Sequence, residues 1–371
     1  MKKIAIISTF PTSGSKNIGD YLISKSTERA IRQIVPDCEI TTFFRADKWE
    51  SIREDIKAQD HIIFACLAIR ARDIAKRIYP YINEIIGSGI PFTILAAGTQ
   101  LPVHKKRMGP VGKCSNANRA LLNEISDKCC GFSTRGCVTQ AFCSSLGLET
   151  ENAGDIAYFD KRFDGLKFEP SRPIKRIAIS DPHYWRSFRR EFSEVYYGLK
   201  YRFPEAEIII PLHGKSGFRE VLEREGLDIV PIYENPDNGL DIYDSVDLHV
   251  GFRVHAHVSM LKRRRYSYLI EQDGRGCDYG RNMNANISVP CYVSKTKQIL
   301  AGLVPGKTLP KPQFGAETSS IIQLLSMIDK DNQNGFSLFS GLEGQIEAIN
   351  NNNVAFIARH LKDKCPKLLP E

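Results

Sequence analysis

The chain has 371 residues, 42% hydrophobic and 25% charged, with 51 Lys and Arg against 43 Asp and Glu for a formal net charge of +8. That length exceeds one ordinary core and predicts two domains plus an extension, while the composition is that of a soluble globular chain. No apolar run is long enough to span a bilayer, Ile4 to Ile7 is too short for a signal-peptide core, and the 10 Cys lack the dense spacing of a secreted disulfide scaffold, so a cytoplasmic location is expected.

The first half alternates strand and helix patterns. Lys3 to Thr9 reads as a strand, Tyr21 to Val35 as a helix, Glu39 to Phe44 and His61 to Cys66 as strands, and Ile74 to Ile86 as a helix. Phe92 to Ala97 is strand-like, Ala117 to Ser126 helical, Cys130 to Thr134 a strand and Gln140 to Leu146 a helix. A stretch from Lys161 to Lys175 reads as a linker, and the same grammar then restarts. Strands are expected at Arg176 to Ser180, Glu207 to Leu212, Asp228 to Pro231 and Tyr266 to Glu271, with helices at Phe188 to Arg202 and Phe218 to Glu225. Alternation of this kind predicts an α/β fold of two Rossmann-like, doubly wound domains facing each other across a cleft. The expected divisions are 1–165, 166–303 and a helical extension over 304–371, broken by the Asn-rich run Asn350 to Asn353.

Asp247 to Leu261 is the stretch around which the rest is arranged. Leu248, Val250 and Phe252 give a buried strand, and Val254 to Leu261 has helix-compatible spacing, so Arg253 and His255 stand at a strand's carboxyl end, where open α/β sheets place their ligand crevice. His257 points to another face of the helix and is expected in the core. The basic residues are dispersed, and the densest run, Lys262 to Arg265, reads as a solvated helix end; with no RNA-binding or zinc-finger signature, a nucleic-acid partner is set aside. The Cys spacings match no zinc or iron–sulfur pattern, so no metal is expected. The loop from Thr9 to Asp20 lacks both dinucleotide and P-loop glycine spacings, yet it brings the carboxylate of Asp20 to a helix N-terminus, where capping is its simplest role. The turn from Pro211 to Gly217 offers amides for an anion or for the next helix.

Four segments in order, Asn17-Ile-Gly-Asp20, Ser133-Thr-Arg-Gly136 with Leu146-Gly147 beyond it, Gly154-Asp155-Ile-Ala157 and Val250-Gly-Phe-Arg-Val-His-Ala256, resemble the polysaccharide pyruvyltransferase family over roughly residues 4 to 285. The resemblance implies a GT-B-like arrangement of the two domains and transfer of pyruvate from phosphoenolpyruvate to two hydroxyls of a sugar as a ketal, with no cofactor besides that donor. It also implies roles: Asp20 as the base for the acceptor hydroxyl, and Arg135, Arg253 and His255 at the donor. Arg275 stands where the family commonly has Lys, and Gly136 follows Arg135 where Asp is frequent.

Elementary chemistry fits these roles. Phosphoenolpyruvate presents a planar carboxylate and a phosphate, which guanidinium forks match, at about 1.5–3 kcal/mol for each charge-assisted bond. His255 is the candidate acid for the vinyl carbon and Asp20 the candidate base. The acceptor is a sugar or glycan, with lipid-linked, nucleotide-linked and soluble forms all compatible; Gly98 to Asn118 is the candidate acceptor loop. A nucleotide-sugar glycosyltransferase and a non-catalytic anion-binding relative are the alternatives, and oligomeric state is left open.

Overall fold

Two parallel sheets carry the chain in this computed structural model, which describes every residue except 12–13, 71, 101–113, 284, 295–313 and 363–371. The first sheet holds β1 (Lys3–Ser8), β2 (Glu39–Phe44), β3 (His61–Ala65), β4 (Ala68–Ile69), β5 (Phe92–Thr99), β6 (Gly131–Thr134) and β7 (Glu151–Asn152). Its order is β2-β1-β3-β5-β6-β7, with β4 beside β5 and every pairing parallel. Strands β3 and β5 are buried at every residue, as expected of parallel strands covered on both faces. The cover comes from α1 (Ile18–Ile34), α2 (Trp49–Lys57), α3 (Ile82–Gly87), α4 (Asn116–Lys128) and α5 (Cys137–Ser145).

The second sheet holds β8 (Arg176–Ala178), β9 (Glu207–Pro211), β10 (Ile229–Val230), β11 (Leu248–Gly251), β12 (Tyr266–Glu271) and β13 (Ser288–Pro290). Its order, β10-β9-β8-β11-β12-β13 and all parallel, is that of a Rossmann sheet, with the order reversing between β8 and β11. Helices α6 (Trp185–Arg202), α7 (Arg219–Arg224), α8 (Val254–Lys262) and α9 (Gly274–Asn282) connect it, and β14 (Tyr292–Ser294) pairs antiparallel with β15 (Phe314–Ala316). The first sheet reverses order between β1 and β3. Ligand crevices form at such reversals, so the carboxyl ends of β1, β3, β8 and β11 mark the place to look.

The extension ties the halves together. Helix α10 (Ser319–Gln333) packs on α6, where Arg202 pairs with Asp329 at 2.8 Å. Helix α11 (Leu342–Lys362) then returns to the first sheet, packing on α1 and β6 and pairing Arg359 with Glu151 at 2.6 Å.

Four expectations need correction. The helix expected over Ile74 to Ile86 is a π-turn at Ile74–Ile78 and the separate α3, because Pro80 cannot continue a helical hydrogen-bond ladder. Helix α2 was not anticipated. The Asn-rich run does not break α11: buried Asn353 sends its amide nitrogen to the carbonyls of Ala153 at 3.0 Å and Ile349 at 2.9 Å, so its donor group is held both across to the first half and within the helix. Lys262 to Arg264 are not solvated either. Lys262 meets Asp160 at 3.3 Å, Arg263 meets Asp244 at 2.5 Å, and Arg264 donates to the Leu166 carbonyl at 3.1 Å, all three side chains being buried.

Candidate functional site

The loop after β1 and the start of α8 meet at one glycine. A Cβ on Gly19 would collide with the His255 imidazole, so the ring packs directly against the first turn of α1, the turn that carries Asp20. His255 is buried, and its Nε2 has no hydrogen-bond partner among the described residues. Burial, helped by the cations Arg135, Arg275 and Arg253, lowers its pKa to about 4, with Asp155 opposing. The free imidazole is therefore neutral near pH 7.

Asp20 is partly exposed yet lies deep enough that burial raises its carboxyl; Asn17, Arg275, Arg45 and Thr9 oppose that shift. The capping role suggested by its position belongs to Asn17, whose side chain accepts from the Gly19 amide. Asp20 is thus left with no capping duty.

Three arginines reach this pair from three strand ends. Arg135 follows β6 and is buried, its Nη1 3.8 Å from the Cys66 sulfur and its Nε 3.7 Å from Asp278. Arg253 caps the start of α8: its Nε donates to Asp181 at 3.0 Å, its Nη2 pairs with the same carboxylate, and its Nη1 lies 3.5 Å from His183. Arg275, in the first turn of α9, forks onto Asp273, with Nε at 3.1 Å from both oxygens and Nη2 at 2.6 Å from one. Tyr184 donates to that carboxylate at 3.0 Å, so the Arg275 guanidinium, like that of Arg253 on Asp181, is held by a fixed carboxylate.

Asp278 fixes the wall between the halves. Its carboxylate, carried by α9, accepts from the amides of Val138 and Thr139 at 3.0 Å each and from the Thr139 hydroxyl at 2.5 Å, so it occupies the N-terminus of α5. Gly136 is required there, because a Cβ would strike the carboxylate. Asp155, a motif residue without an assigned role, takes the Tyr279 hydroxyl and the Ala157 amide at 2.8 Å.

All five site residues expected from the sequence therefore converge. His257 does not join them: it is buried, with Nδ1 2.8 Å from the Ser267 hydroxyl. The turn from Pro211 to Gly217 is zipped to the first loop, with Lys215 N donating to Ser15 O at 2.8 Å and Ile18 N to His213 O at 2.9 Å. Residues 101–113 of the candidate acceptor loop lie outside the described residues. Missed from the sequence were Asp181 and His183 after β8, and Arg45 and Arg70 immediately after β2 and β4. For Asp181, His183 and Arg45 the signal was available, since each follows a strand expected from the sequence; for Arg70 it was not, because β4 is two residues long. Among the described residues no group of His, Cys, Asp and Glu could hold a metal, and no helix is long and apolar enough to cross a membrane. A cavity of about 340 Å³ elsewhere along α1 is lined by Arg29, Arg162 and Lys262, but Asp160 already pairs with all three.

Several solved structures align with the chain. The E. coli trehalose-6-phosphate structure bound with UDP-2-fluoro glucose aligns with a TM-score of 0.54 at 8% identity, covering 98% of this chain and 100% of that one. Anabaena Alr3699/HepE in complex with UDP-glucose aligns at 0.49 and 11% identity (96% and 99% covered), and the S. aureus MnaA-UDP co-structure at 0.48 and 11% (94% and 94%). The first of these likenesses establishes the fold, two Rossmann-like domains in a GT-B-like arrangement. No curated protein matches the sequence. The family model for polysaccharide pyruvyl transferase matches residues 17–259, a span that holds Asp20, Arg135, Arg253 and His255, and the chain belongs to that family.

Proposed function

We propose that the protein transfers pyruvate from phosphoenolpyruvate to a pair of hydroxyls on a sugar or glycan. The observation that carries this reading is the convergence of Arg135, Arg253 and Arg275 on a buried histidine whose Nε2 is unpartnered. A small, highly charged anion with a planar carboxylate and a phosphate matches three guanidiniums that are already oriented.

Binding such an anion reverses the field at His255. Burial holds the imidazole neutral with help from three cations; the donor's negative charges offset those cations and favour the charged form of a ring beside them, so the ring takes up a proton as the donor arrives. That proton goes to the vinyl carbon, leaving C2 electrophilic. An acceptor hydroxyl attacks C2 while Asp20 takes its proton; the C2–O bond to phosphate breaks and phosphate leaves with the proton held by Asp20, and the second hydroxyl attacks C2 to complete the ketal, its proton passing to the now neutral His255. Asp20 suits the task because its raised carboxyl is a stronger base than an exposed aspartate.

Thermal shifts with phosphoenolpyruvate, UDP, UDP-glucose and CMP test the donor. Phosphoenolpyruvate at a hundred times its dissociation constant should add about 2.7 kcal/mol of stability. A melting curve that moves with UDP and stays still with millimolar phosphoenolpyruvate would transfer the assignment to a glycosyltransferase; no response to any of the four would leave a non-catalytic relative.

A further inference from the structure

We propose that Arg45 and Arg70 form a second anion subsite, on the first-sheet side of Asp20, that recognises a phosphate-bearing acceptor. The proposal rests on the assignment of Asp20 to the acceptor hydroxyl, and its argument comes from charge balance.

Each donor-side arginine has a carboxylate: Asp278 for Arg135, Asp181 for Arg253 and Asp273 for Arg275. Arg45 and Arg70 have none within ion-pair distance among the described residues, and the Nε of each is buried without a hydrogen-bond partner. Half-buried guanidiniums left in this state carry an uncompensated desolvation cost that a bound anion removes. Burial and the neighbouring cations Arg275 and Arg45 also lower the proton affinity of Arg70, so the two like charges lie close together in a partly dry place.

The Arg45 guanidinium and the Arg70 backbone are both anchored. Arg45 Nη1 donates to the Ile78 carbonyl at 3.0 Å, and its guanidinium lies over the rings of Phe44 at 5.7 Å and Tyr79 at 5.9 Å. Tyr79 is itself fixed, its hydroxyl accepting from the Ala68 amide at 2.9 Å. The Arg70 carbonyl is tied to the Asn118 amide at 2.9 Å. The pair borders the donor site on its Asp20 side: the cations acting most strongly on His255 are Arg135, Arg275 and Arg253, Asp20 feels Arg275 and Arg45, and Arg70 adjoins Arg275. An anion bound by Arg45 and Arg70 therefore sits beside the base. Two guanidiniums suit a dianionic phosphate or a diphosphate, and the chemistry is shared by a sugar phosphate, a nucleotide sugar and a sugar carried on a prenyl diphosphate.

The test is calorimetric titration of wild type, Arg45→Gln, Arg70→Gln and Arg70→Lys, each checked for an unchanged melting profile. Probes are inorganic phosphate, glucose 1-phosphate, UDP-glucose, farnesyl diphosphate, methyl glucoside and phosphoenolpyruvate. At least one phosphorylated probe should bind wild type and lose about 10-fold to 100-fold in affinity with either Gln variant, the Lys variant falling between; methyl glucoside should bind far more weakly. The phosphorylated probe that binds tightest identifies the carrier. Phosphorylated probes that ignore wild type, or bind all four forms alike, overturn the proposal, and so does a matching loss of phosphoenolpyruvate affinity in the Gln variants. Phosphoenolpyruvate failing on wild type while phosphorylated sugars still depend on Arg45 and Arg70 would sink the donor assignment and leave the subsite standing.

Discussion

His255 and Arg275 test the site residue by residue. His255→Gln should lower turnover by roughly 10²–10⁴-fold with a much smaller change in donor affinity, read as phosphate release in the presence of a competent acceptor; near-normal turnover would remove the imidazole from proton transfer. Arg275 occupies the position where Lys is common in the family. Its fork onto Asp273 leaves a permanently charged group aimed by two oxygens, which suits a fixed positive charge and not a proton donor. Accordingly Arg275→Lys should retain most donor affinity and Arg275→Gln should lose it, and equal affinity in all three forms would place the residue outside the site. Arg253, His255 and Arg135 were legible from the sequence because each follows an apolar strand inside a family motif. Arg45 and Arg70 follow strands too, but no motif marks them, and a short strand such as β4 leaves no periodicity to read.

Helix ends decide how elements hold these residues. The carboxylate of Asp278 fills the start of α5 from α9, so one side chain joins the two halves and also stands beside Arg135. Asp278→Ala should destabilise the fold by roughly 2–4 kcal/mol, since amides at the α5 N-terminus lose their acceptor. Urea unfolding measures this; a loss under about 0.5 kcal/mol would mean the helix end finds another partner and the clamp is not needed. Strands buried on both faces, such as β3 and β5, were visible as continuous apolar runs, and β12 was found at its observed limits. Helix α2 escaped notice because its only buried side chains are Ile52 and Ile56, too few for a stripe. The Asn run in α11 looked like a break because a carbonyl that accepts from Asn353 at its buried face belongs to Ala153, about two hundred residues away in sequence.

Over the whole molecule, the halves meet through α1, α8, α9 and the returning α11, which keeps the first turn of α1, at Gly19, against His255 of the second half. The two-sheet plan could be read from alternating strands and helices. The contacts between halves could not, because a basic run such as Lys262 to Arg264 looks the same whether it meets solvent or, as here, Asp160, Asp244 and a buried carbonyl. The central claim is that the donor supplies the charge that protonates a neutral His255. The direct measurement is calorimetry of phosphoenolpyruvate binding near pH 7 in buffers of different ionisation enthalpy, for wild type and His255→Gln. Starting from a pKa of about 4, wild-type His255 should take up close to one proton more than the variant on binding, so that the two lines of enthalpy against buffer ionisation enthalpy differ in slope. Identical proton uptake in the two proteins, with phosphoenolpyruvate bound to both, would contradict the account.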